Sequence, residues 1–458
     1  MSQDPIKHVV LLMFENRSFD QMLGCFREVY PDLEGIDPAN PSSNVDPSGQ
    51  VFPQSETNAI SISPDPKHEL ENVLHQMEGG NANFVRDYAE CYPTSTAAER
   101  EQVMGFYPIG FLPALHALAQ HFTICDHWFS SVPGPTWTNR FFAYSGTSRG
   151  RVAMPEGVFD TDKILCYDQD TLFDRLNERG IKWRIYFGDV PNSLVLRHQR
   201  TVRNAPFYRL MNRFYANAAG PEADFPAFAL IEPNYLWGDQ NDDHPPHSTM
   251  RAQELLADVY NALRKNERLW NSTLLVILYD EHGGFFDHVE PPGAVPPDDD
   301  GLEYAFDRLG IRVPALLVSP WVERGIMAVD FDHTSLLSYL SRKWHLSPLT
   351  RRSAAANTIG IAIRTSGHPR MDTPDRIEMP QRMQLMAASE AAAQGTGDLN
   401  HNQRALLAFA EYLEQEMDTV VAESTRMAMT ALPLDEAERA KLRVEAFLDQ
   451  QKMKAGGG

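Results

Sequence analysis

Two long apolar runs stand out in the hydrophobic pattern of the chain, at residues 8–14 and 273–279. Unbroken runs of this length are typical of strands that are buried on both faces, as in a parallel sheet. Both runs stop abruptly at polar residues, which are Glu15, Asn16, Asp280 and Glu281. Ligand sites in open α/β sheets lie just beyond the carboxyl ends of the strands. The pattern therefore predicts that these side chains belong to one site.

Helix-like and strand-like segments alternate through the middle of the chain. Helical periodicity covers residues 172–180, 249–263 and 334–344, and strand-like runs cover residues 183–187, 227–231 and 313–319. This alternation predicts an α/β fold with a central, mostly parallel sheet sandwiched by helices. Two insertions, residues 31–120 and 188–224, interrupt the pattern, and we expect them to form lids or substrate walls.

The pattern changes beyond about residue 351, where a stretch rich in Ala, Thr, Met and Pro precedes two amphipathic segments. We therefore predict a catalytic domain over residues 1–350, followed over residues 351–458 by a linker and a C-terminal helical appendage. We expect the helices at residues 402–429 and 434–451. These helices either pack on the core, or cover the active site, or contact a membrane surface. Their acidic character and lack of a basic face count against tight membrane insertion.

The polar residues at the two strand ends carry oxygen atoms, the ligands that hard metal ions prefer. Two adjacent carboxylates such as Asp280 and Glu281 repel each other unless a cation or a shared proton lies between them. A solvated acidic turn is the alternative for either segment taken alone. The pattern predicts a divalent metal ion, with calcium, zinc, magnesium and manganese all open as its identity.

A third segment, Pro133-Gly134-Pro135-Thr136, sets a rigid turn before a hydroxyl residue. A threonine hydroxyl is a poor nucleophile unless a base or a metal ion lowers its pKa. Arg140 follows one helical turn later, and its guanidinium suits phosphate oxygens. By itself the segment is also consistent with an ordinary proline turn. Together with a metal site it predicts a metal-activated nucleophile at Thr136.

These segments, in this order, resemble the bacterial phosphoesterase family that contains the phosphatidylcholine-type phospholipases C and a group of acid phosphatases. That family is a branch of the alkaline phosphatase superfamily, and the resemblance implies an alkaline-phosphatase-like fold. In relatives the residue after Gly-Pro-Thr is often His, whereas here it is Trp137, a departure that concerns local substrate contacts. The matching segments, which span residues 6 to about 344, are HVVLLMFENRSFDQMLG, MGFYPIGFLPALHALAQHFTICDHWFSSVPGPTWTNR, DDHPPHS, YDEHGGFFDHVEPP and FDHTSLLSYL.

The resemblance also implies roles for individual residues. Thr136 is implied as the covalent nucleophile, and the implied metal ligands are Glu15, Asn16, Thr136, Asp280 and Glu281. His244 and His68 fall where relatives place histidines facing the phosphoryl group, and His288 falls at a further recurring histidine position. We expect neighbouring carboxylates to favour the protonated form of His244, which can then donate a proton to the leaving oxygen. For each histidine a structural role beside a turn is the alternative.

A second metal ion is a further implication of the wider superfamily. Its ligands would be Asp243, His247 and His333. The acid phosphatases that the chain most resembles imply a single metal instead, so both counts stay open.

The composition and net charge of the chain limit the classes of partner that it can bind. The formal net charge is −21 and no basic patch is present, which argues against nucleic acid and disfavours electrostatic docking to anionic lipid. A zwitterionic phospholipid or a small phosphate ester remains compatible, transient membrane contact is open, and the oligomeric state is not determined. The four cysteines form no Cys-x-x-Cys pair, and we expect buried thiols rather than disulfides.

The resemblance implies a secreted or periplasmic protein, but no signal peptide precedes the first strand, so a cytoplasmic location stays open. No apolar run is long enough for a transmembrane helix. Our first hypothesis for the function is a phospholipase C that cleaves phosphatidylcholine-like lipids into diacylglycerol and phosphorylated headgroup through a phosphothreonine. The alternative is a broad-specificity acid phosphatase or phosphodiesterase. An inactive phosphate- or lipid-binding module is disfavoured by the complete set of motifs.

Overall fold

The computed structural model describes residues 4–157, 159–236, 240–381, 383, 399–431 and 434–456. Its strands, in chain order, are β1 (His8–Phe14), β2 (Ser43–Val45), β3 (Val51–Pro53), β4 (Ser55–Glu56), β5 (Gly105–Phe106), β6 (Thr123–Ile124), β7 (Trp183–Phe187), β8 (Tyr208–Leu210), β9 (Phe228–Glu232), β10 (Thr273–Tyr279), β11 (Ala315–Val318) and β12 (Gly325–Ile326).

The α-helices in the described residues, again in chain order, are α1 (Phe19–Leu23), α2 (Leu70–Gln76), α3 (Glu78–Asn81), α4 (Phe84–Cys91), α5 (Ala97–Gln102), α6 (Pro113–His121), α7 (Thr136–Ser145), α8 (Thr161–Leu165), α9 (Leu172–Glu178), α10 (Met211–Ala219), α11 (Thr249–Lys265), α12 (Glu267–Trp270), α13 (His333–Trp344), α14 (Arg351–Ala355), α15 (His401–Gln415), α16 (Thr419–Ala431) and α17 (Glu436–Gly456). Short 3₁₀ helices cover Gly24–Glu28, Asn192–Val195, Arg197–Gln199, Ala205–Phe207, Glu222–Asp224 and Ile359–Ala362.

The central sheet has eight strands in the order β12-β6-β11-β10-β1-β9-β7-β8. Strand β1 pairs in parallel with β10 on one side and with β9 on the other. Every residue of β1 and β10 is buried, and because successive side chains point to opposite faces, both faces of these strands must be covered. The predicted α/β fold with a mostly parallel sheet is confirmed.

Strand β11 is the exception to the parallel arrangement, since it runs antiparallel to both β10 and β6. Parallel neighbours need a long crossover that is usually helical. Residues 280–314, all of them described, contain no helix, and they return the chain to the neighbouring position in the opposite direction. The hydrophobic run at residues 313–319 predicted the strand but carried no information on its direction.

The pairing of β1 with β10 positions the site. Its register sets Phe14 opposite Tyr279. The two polar pairs that follow, Glu15-Asn16 and Asp280-Glu281, therefore leave the sheet side by side at the same edge. This is the arrangement that the two apolar runs predicted.

Several element boundaries differ from the predicted ones. The helix expected over residues 402–429 is in fact two helices, α15 and α16. The break has a local cause, because the backbone N–H of Asp418 donates to the Gln450 side chain of α17 at 2.7 Å, and the Asp418 carbonyl accepts from Ala422 at the start of α16. Residues 384–398 of the predicted linker lie outside the described residues.

The predicted insertions contain small structures of their own. Residues 31–120 hold the antiparallel pair β2–β3 and helices α2 to α6, and residues 188–224 hold β8 and α10. All four cysteines are free thiols, as expected, although only Cys25 and Cys125 are fully buried. Within the described residues, every helix is too short or too polar to cross a membrane.

Candidate active site

The polar residues after β1 and β10 contact each other directly. The backbone N–H of Asn16 donates to Asp280 Oδ1 at 3.1 Å, and Asn16 is fully buried. Asn16 has a φ of +59°, in the left-handed region that asparagine tolerates better than most residues. The turn after β1 therefore brings the Asn16 backbone against the neighbouring strand end.

Several of the predicted site residues carry buried oxygen atoms without hydrogen-bond partners. Within the described part of the chain, unpaired atoms include Glu15 Oε2, Asn16 Oδ1, Thr136 Oγ1 and Glu281 Oε1. Buried polar atoms are nearly always paired in folded proteins, so each exception needs a cause. Carboxylate, amide and hydroxyl oxygens are the ligands of hard divalent cations. These residues thus fit a divalent metal ion, which would supply the partner that the protein itself does not.

Asp280 differs from the other predicted ligands because both of its oxygens are engaged. Oδ1 accepts from the backbone N–H groups of Asn16 and Glu281, and Oδ2 accepts from Arg140 Nε at 3.1 Å. The ligand atoms of Glu15, Asp280 and Glu281 are also not among the described groups of three that lie within 4.8 Å of one another. Arg140 lies between Glu15 and Asp280, and its guanidinium keeps the carboxylate oxygens of these two residues apart.

Arg140 is committed to the protein and not to a phosphate. Its Nη2 lies 3.2 Å from Glu15 Oε1 and donates to the carbonyl oxygens of Met13 and Phe14, while Nη1 donates to the Tyr235 hydroxyl. The side chain is fully buried. The expectation that its guanidinium faces phosphate oxygens is therefore wrong in this geometry. Spacing on α7 correctly indicated that Arg140 reaches the site but not which acceptors it meets.

Burial controls the ionisation of the site carboxyls. It raises the pKa of Glu15 and of Asp280, and the Arg140 guanidinium opposes the rise in both. Burial also raises the pKa of Glu281, against the opposing effect of His68. A cation placed among these groups favours their charged forms. The carboxyls are thus costly to ionise without a positive partner.

Thr136 opens helix α7 and is held by the turn before it. Pro135 is the residue immediately before the helix, and the Thr136 side chain is buried. Asn139 stabilises the turn, because its Nδ2 donates to the carbonyls of Gly134 at 2.8 Å and Val132 at 3.1 Å, and its Oδ1 accepts from Val132 N. The predicted rigid turn is present, and the sequence interpretation missed Asn139 as its clamp.

His68 lies beside two of the predicted metal ligands. Its Nε2 is 3.2 Å from Asn16 Nδ2 and 4.0 Å from Glu281 Oε1. Its Nδ1 donates to the Pro66 carbonyl at 2.9 Å. Burial lowers the pKa of His68, but the Glu281 and Glu69 carboxylates outweigh burial and raise it above the ordinary value. The surroundings of His68 therefore favour its protonated form.

His244 has the opposite preference. Its ring centroid is 5.6 Å from that of His68, and Asp65, His68 and His244 form a group with side-chain ligand atoms within 4.8 Å. Burial and the nearby His68 and His247 lower the pKa of His244 well below its ordinary value. Its Nδ1 donates to the Pro245 carbonyl at 2.6 Å, and Nε2 has no partner among the described residues. The expected protonated form of His244 is therefore disfavoured, because burial and the two neighbouring histidines lower its pKa.

The three residues expected to hold a second metal are engaged in separate contacts. His247 Nδ1 donates to Asp242 at 2.7 Å, and Asp243 accepts from the Tyr279 hydroxyl at 2.6 Å. His333 Nε2 donates to the Asp280 carbonyl at 2.6 Å while its Nδ1 accepts from an indole N–H. Burial lowers the pKa of His333 to about 4. The structure does not gather these side chains into a metal site, and His333 supports the Asp280 backbone.

His288 lies in a different buried network. Its Nδ1 donates to Asp20 Oδ2 at 2.8 Å, and Arg312 donates to both Asp20 and Asp287. The guanidinium already supplies the positive charge for these carboxylates, which leaves no need for a metal there. The side chain of His288 thus contacts Asp20 and not the strand-end residues, and its catalytic role stays a prediction.

The sequence interpretation missed contacts made by the start of α15. Asn402 Nδ2 donates to Glu15 Oε1 at 2.7 Å, and Gln403 Nε2 donates to the Tyr235 carbonyl at 2.8 Å. The Asn402 contact spans 387 positions along the chain. A signal for the helix start was present, since Asn400 caps α15, but nothing in the sequence indicated what that start would touch.

Comparisons with known proteins agree with the motifs. A model of the Phosphoesterase family matches residues 6–347. Non-specific phospholipase C3 of Arabidopsis thaliana is 35% identical over 419 residues, which cover 83% of this chain and 77% of that protein. Phospholipase C B of Mycobacterium tuberculosis is 29% identical over 398 residues, which cover 74% of this chain and 73% of that protein.

Similarity to solved structures is more distant. A protein in the alkaline phosphatase superfamily from Vibrio parahaemolyticus has a TM-score of 0.32 and 12% sequence identity, covering 54% of this chain and 63% of that chain. An overlap of this size supports no argument about the site. The family match covers the residues that carry the motifs, from Ile6 to beyond α13. The chain therefore belongs to the Phosphoesterase family of phosphoric ester hydrolases.

Proposed function

We propose that this chain is a metal-dependent phospholipase C that cleaves phosphatidylcholine-like lipids through a phosphothreonine at Thr136. The observation that carries the proposal is the set of buried, unpaired oxygens that includes the Thr136 hydroxyl itself. A hydroxyl buried without a hydrogen-bond partner at a helix start is poorly explained by folding alone. The names of the relatives, which are phospholipases C, support the same class of reaction.

Glu15, Asn16, Thr136 and Glu281 would hold the metal ion, with Asp280 ordered beside them by Arg140. When bound, the ion would lower the pKa of the Thr136 hydroxyl and offset negative charge on the phosphoryl oxygens. Asn139 holds the turn that aims the hydroxyl. Side chains of the protein would carry out the other steps, which are the attack on phosphorus and the transfer of protons.

In the first step the Thr136 hydroxyl gives up its proton to solvent, its oxygen attacks phosphorus, and the bond from phosphorus to the diacylglycerol oxygen breaks. The departing oxygen takes a proton, which His68 would supply, since the Glu281 and Glu69 carboxylates raise its pKa and favour its protonated form. In the second step a water molecule attacks the phosphothreonine and gives its proton to the now neutral His68. The bond from phosphorus to the Thr136 oxygen breaks, this oxygen takes a proton back from solvent, and the phosphorylated headgroup leaves.

A cavity of about 420 Å³ beside the nucleophile supports a substrate larger than phosphate. Pro135, the residue before Thr136, forms part of its wall. The wall also has an apolar part and an acidic part, formed by Leu70, Val152, Met154 and Pro155 and by Glu69, Glu71, Glu156 and Glu303. Apolar walls suit acyl or headgroup carbon, and acidic side chains repel anionic lipids. Both features favour a zwitterionic ester.

The test compares phosphatidylcholine in mixed micelles, p-nitrophenyl phosphorylcholine and p-nitrophenyl phosphate. We expect the highest kcat/KM on phosphatidylcholine, and a phosphocholine adduct on Thr136 in acid-quenched enzyme analysed by mass spectrometry. Thr136→Ala should lack the adduct and nearly all turnover, and Thr136→Ser should retain part of both. A tenfold loss corresponds to only about 1.4 kcal/mol in the barrier. An alanine variant with more than a tenth of the wild-type rate contradicts the proposal.

The alternative substrates give distinct results in the same assay. A higher kcat/KM on p-nitrophenyl phosphate than on phosphatidylcholine would identify a phosphatase of small esters. Absence of turnover on all three substrates, with each divalent metal supplied in turn, would identify a binding module.

A further inference from the structure

We infer that Asn402 is a positioning residue of the active site, which orients the Glu15 carboxylate and is itself oriented by Trp137. The inference rests on the proposed function, because the orientation of Glu15 matters only if Glu15 binds the metal. It assigns to helix α15 a part in the site that lies outside the catalytic domain predicted from the sequence. It also gives a role to Trp137, the residue that departs from the family motif.

The contact between Asn402 and Glu15 selects one carboxylate oxygen. Asn402 Nδ2 donates to Oε1 at 2.7 Å, and Arg140 Nη2 lies 3.2 Å from the same atom. The other oxygen, Oε2, is buried without a partner in the described residues. With Oε1 held by two donors, rotation of the carboxylate is restricted. Oε2 is then the atom left for a metal ion.

Trp137 determines which way the Asn402 amide points. The indole Nε1 donates to Asn402 Oδ1 at 3.0 Å. An amide whose oxygen is taken by an N–H group must present its NH₂ group on the other side, and that side is occupied by Glu15. Both Trp137 and Asn402 are buried, so water does not compete for these bonds. The three side chains form a chain of two hydrogen bonds from α7 to the end of β1.

The residues on either side of Asn402 hold the first turn of α15 in place. His401 Nδ1 forms an ion pair with Glu69, the neighbour of His68. Gln403 Nε2 donates to the Tyr235 carbonyl and lies 3.2 Å from His247 Nε2. Three consecutive residues thus contact three different parts of the site, at Glu69, Glu15 and Tyr235. A segment docked only for stability would not need its polar contacts at this one place.

A simpler explanation is that Asn402 merely anchors α15 to the rest of the protein. The two explanations differ in their effect on metal binding. Removing a group that orients a metal ligand typically costs about 10–100-fold in metal affinity or activity. Removing an anchor lowers thermal stability but leaves the metal dissociation constant nearly unchanged. Metal affinity is therefore the measurement that separates them, and it needs no substrate.

The experiment titrates metal-free full-length protein by calorimetry with Ca²⁺, Mg²⁺, Mn²⁺ and Zn²⁺, and continues with the ion that the wild type binds most tightly. Asn402→Leu keeps the branched shape of the Asn402 side chain but has no hydrogen-bonding atoms, and Trp137→Phe keeps a ring but loses the donor. We expect the dissociation constant to rise ~10–100-fold for Asn402→Leu and less for Trp137→Phe. The double variant should match Asn402→Leu, because Trp137 acts through Asn402.

Two control variants lie on or beside the same helix. Asn400→Ala removes the helix cap, in which Asn400 Oδ1 accepts from Gln403 N at 2.8 Å, and tests whether destabilising α15 alone weakens metal binding. Glu411→Ala changes an exposed position of α15. Both should leave the dissociation constant within twofold of the wild type. Thermal melts in EDTA report the stability of every variant.

The outcomes distinguish the inference from the function on which it rests. If Glu15→Gln loses the metal but Asn402→Leu and Trp137→Phe bind it within twofold of the wild type, the inference is overturned and the proposed function stands. If the wild type binds none of the four ions, both fall. If Asn402→Leu does not fold, Trp137→Phe still tests the inference. An unchanged dissociation constant in that variant means that the hydrogen bond from Trp137 to Asn402 does not orient the Glu15 carboxylate, and the inference is overturned.

Discussion

Replacing Arg140 by methionine tests the central electrostatic feature of the site. Methionine keeps an unbranched, apolar side chain but removes a fully buried guanidinium that lies between Glu15 and Asp280. Removing one partner of a buried ion pair costs about 3–5 kcal/mol, because the remaining charge is left without compensation. Folded domains are stable by only roughly 5–15 kcal/mol, so Arg140→Met should lose a large share of the total.

The loss should depend on pH in a defined direction. Burial raises the pKa of Glu15 and of Asp280, and Arg140 opposes the rise, so both pKa values rise further in Arg140→Met. The pKa of such a carboxyl is higher in the folded state than its value of roughly 4 in the unfolded state. Below the unfolded value the carboxyl is protonated in both states, and its ionisation does not affect stability. As the pH rises beyond that value, the unfolded state is favoured. The difference in stability between wild type and variant should therefore grow from pH 4 to pH 8.

The assay is urea unfolding of metal-free protein in EDTA, at several pH values across this range. Arg351→Met is the control, because Arg351 forms an exposed pair with Asp299 and such pairs contribute about 0–1 kcal/mol. A loss below about 1 kcal/mol at pH 8, or an equal loss at pH 5 and pH 8, would refute the assignment of Arg140 as counterion. Unchanged stability with weakened binding of phosphate would instead restore the hypothesis that Arg140 faces the phosphoryl group.

Three further predictions follow from the same contacts. Chelation should lower the melting temperature, and added metal should raise it again, with a gain in the free energy of unfolding of about 2.7 kcal/mol at a hundredfold excess over the dissociation constant; a melting curve indifferent to both contradicts the metal site. His68→Asn should slow the cleavage of phosphatidylcholine more than that of p-nitrophenyl phosphorylcholine, because only the alkoxide leaving group needs a proton; equal losses on both substrates would remove His68 as the acid. Burial lowers the pKa of His288, but Asp20 outweighs it and raises the pKa, so the pair should stabilise the protein fully below about pH 6.5 and lose that effect as the pH rises through the folded pKa. Urea unfolding of His288→Asn between pH 5 and pH 9 should show a gap to wild type that narrows with pH, and a widening gap would count against the pair.

The fold and the strand-end residues were predictable because their signals are local. An unbroken apolar run reports a strand buried on both faces, and the end of the run reports where its polar residues leave the sheet. Parallel pairing of β1 with β10 then requires Glu15 and Asp280 to be neighbours. The direction of β11 was not predictable, since a four-residue strand carries the same pattern in either direction.

The histidines show where local signals end. From proximity in sequence we expected the carboxylates of the 242–247 segment to favour the protonated form of His244. Its pKa is instead lowered by burial and by His68, whose ring lies 5.6 Å from that of His244 although the two residues are far apart in sequence. Arg140 was placed correctly on the helix, yet the number of its acceptors depends on the ends of two strands. Protonation and partner choice are properties of the assembled site, and no spacing rule contains them.

The same reasoning applies to the boundary at residue 350, which remains a prediction as a division of the chain. Composition changes there, and the described residues beyond it contribute no strand to the central sheet. A site, however, is delimited by contacts, and Asn402 and Gln403 contact Glu15 and Tyr235 across that boundary. Residues 1–350 alone would leave Glu15 Oε1 with one donor in place of two and the Trp137 indole N–H without its acceptor. The arrangement of the proposed metal ligands therefore depends on a segment that the composition of the chain sets apart from them.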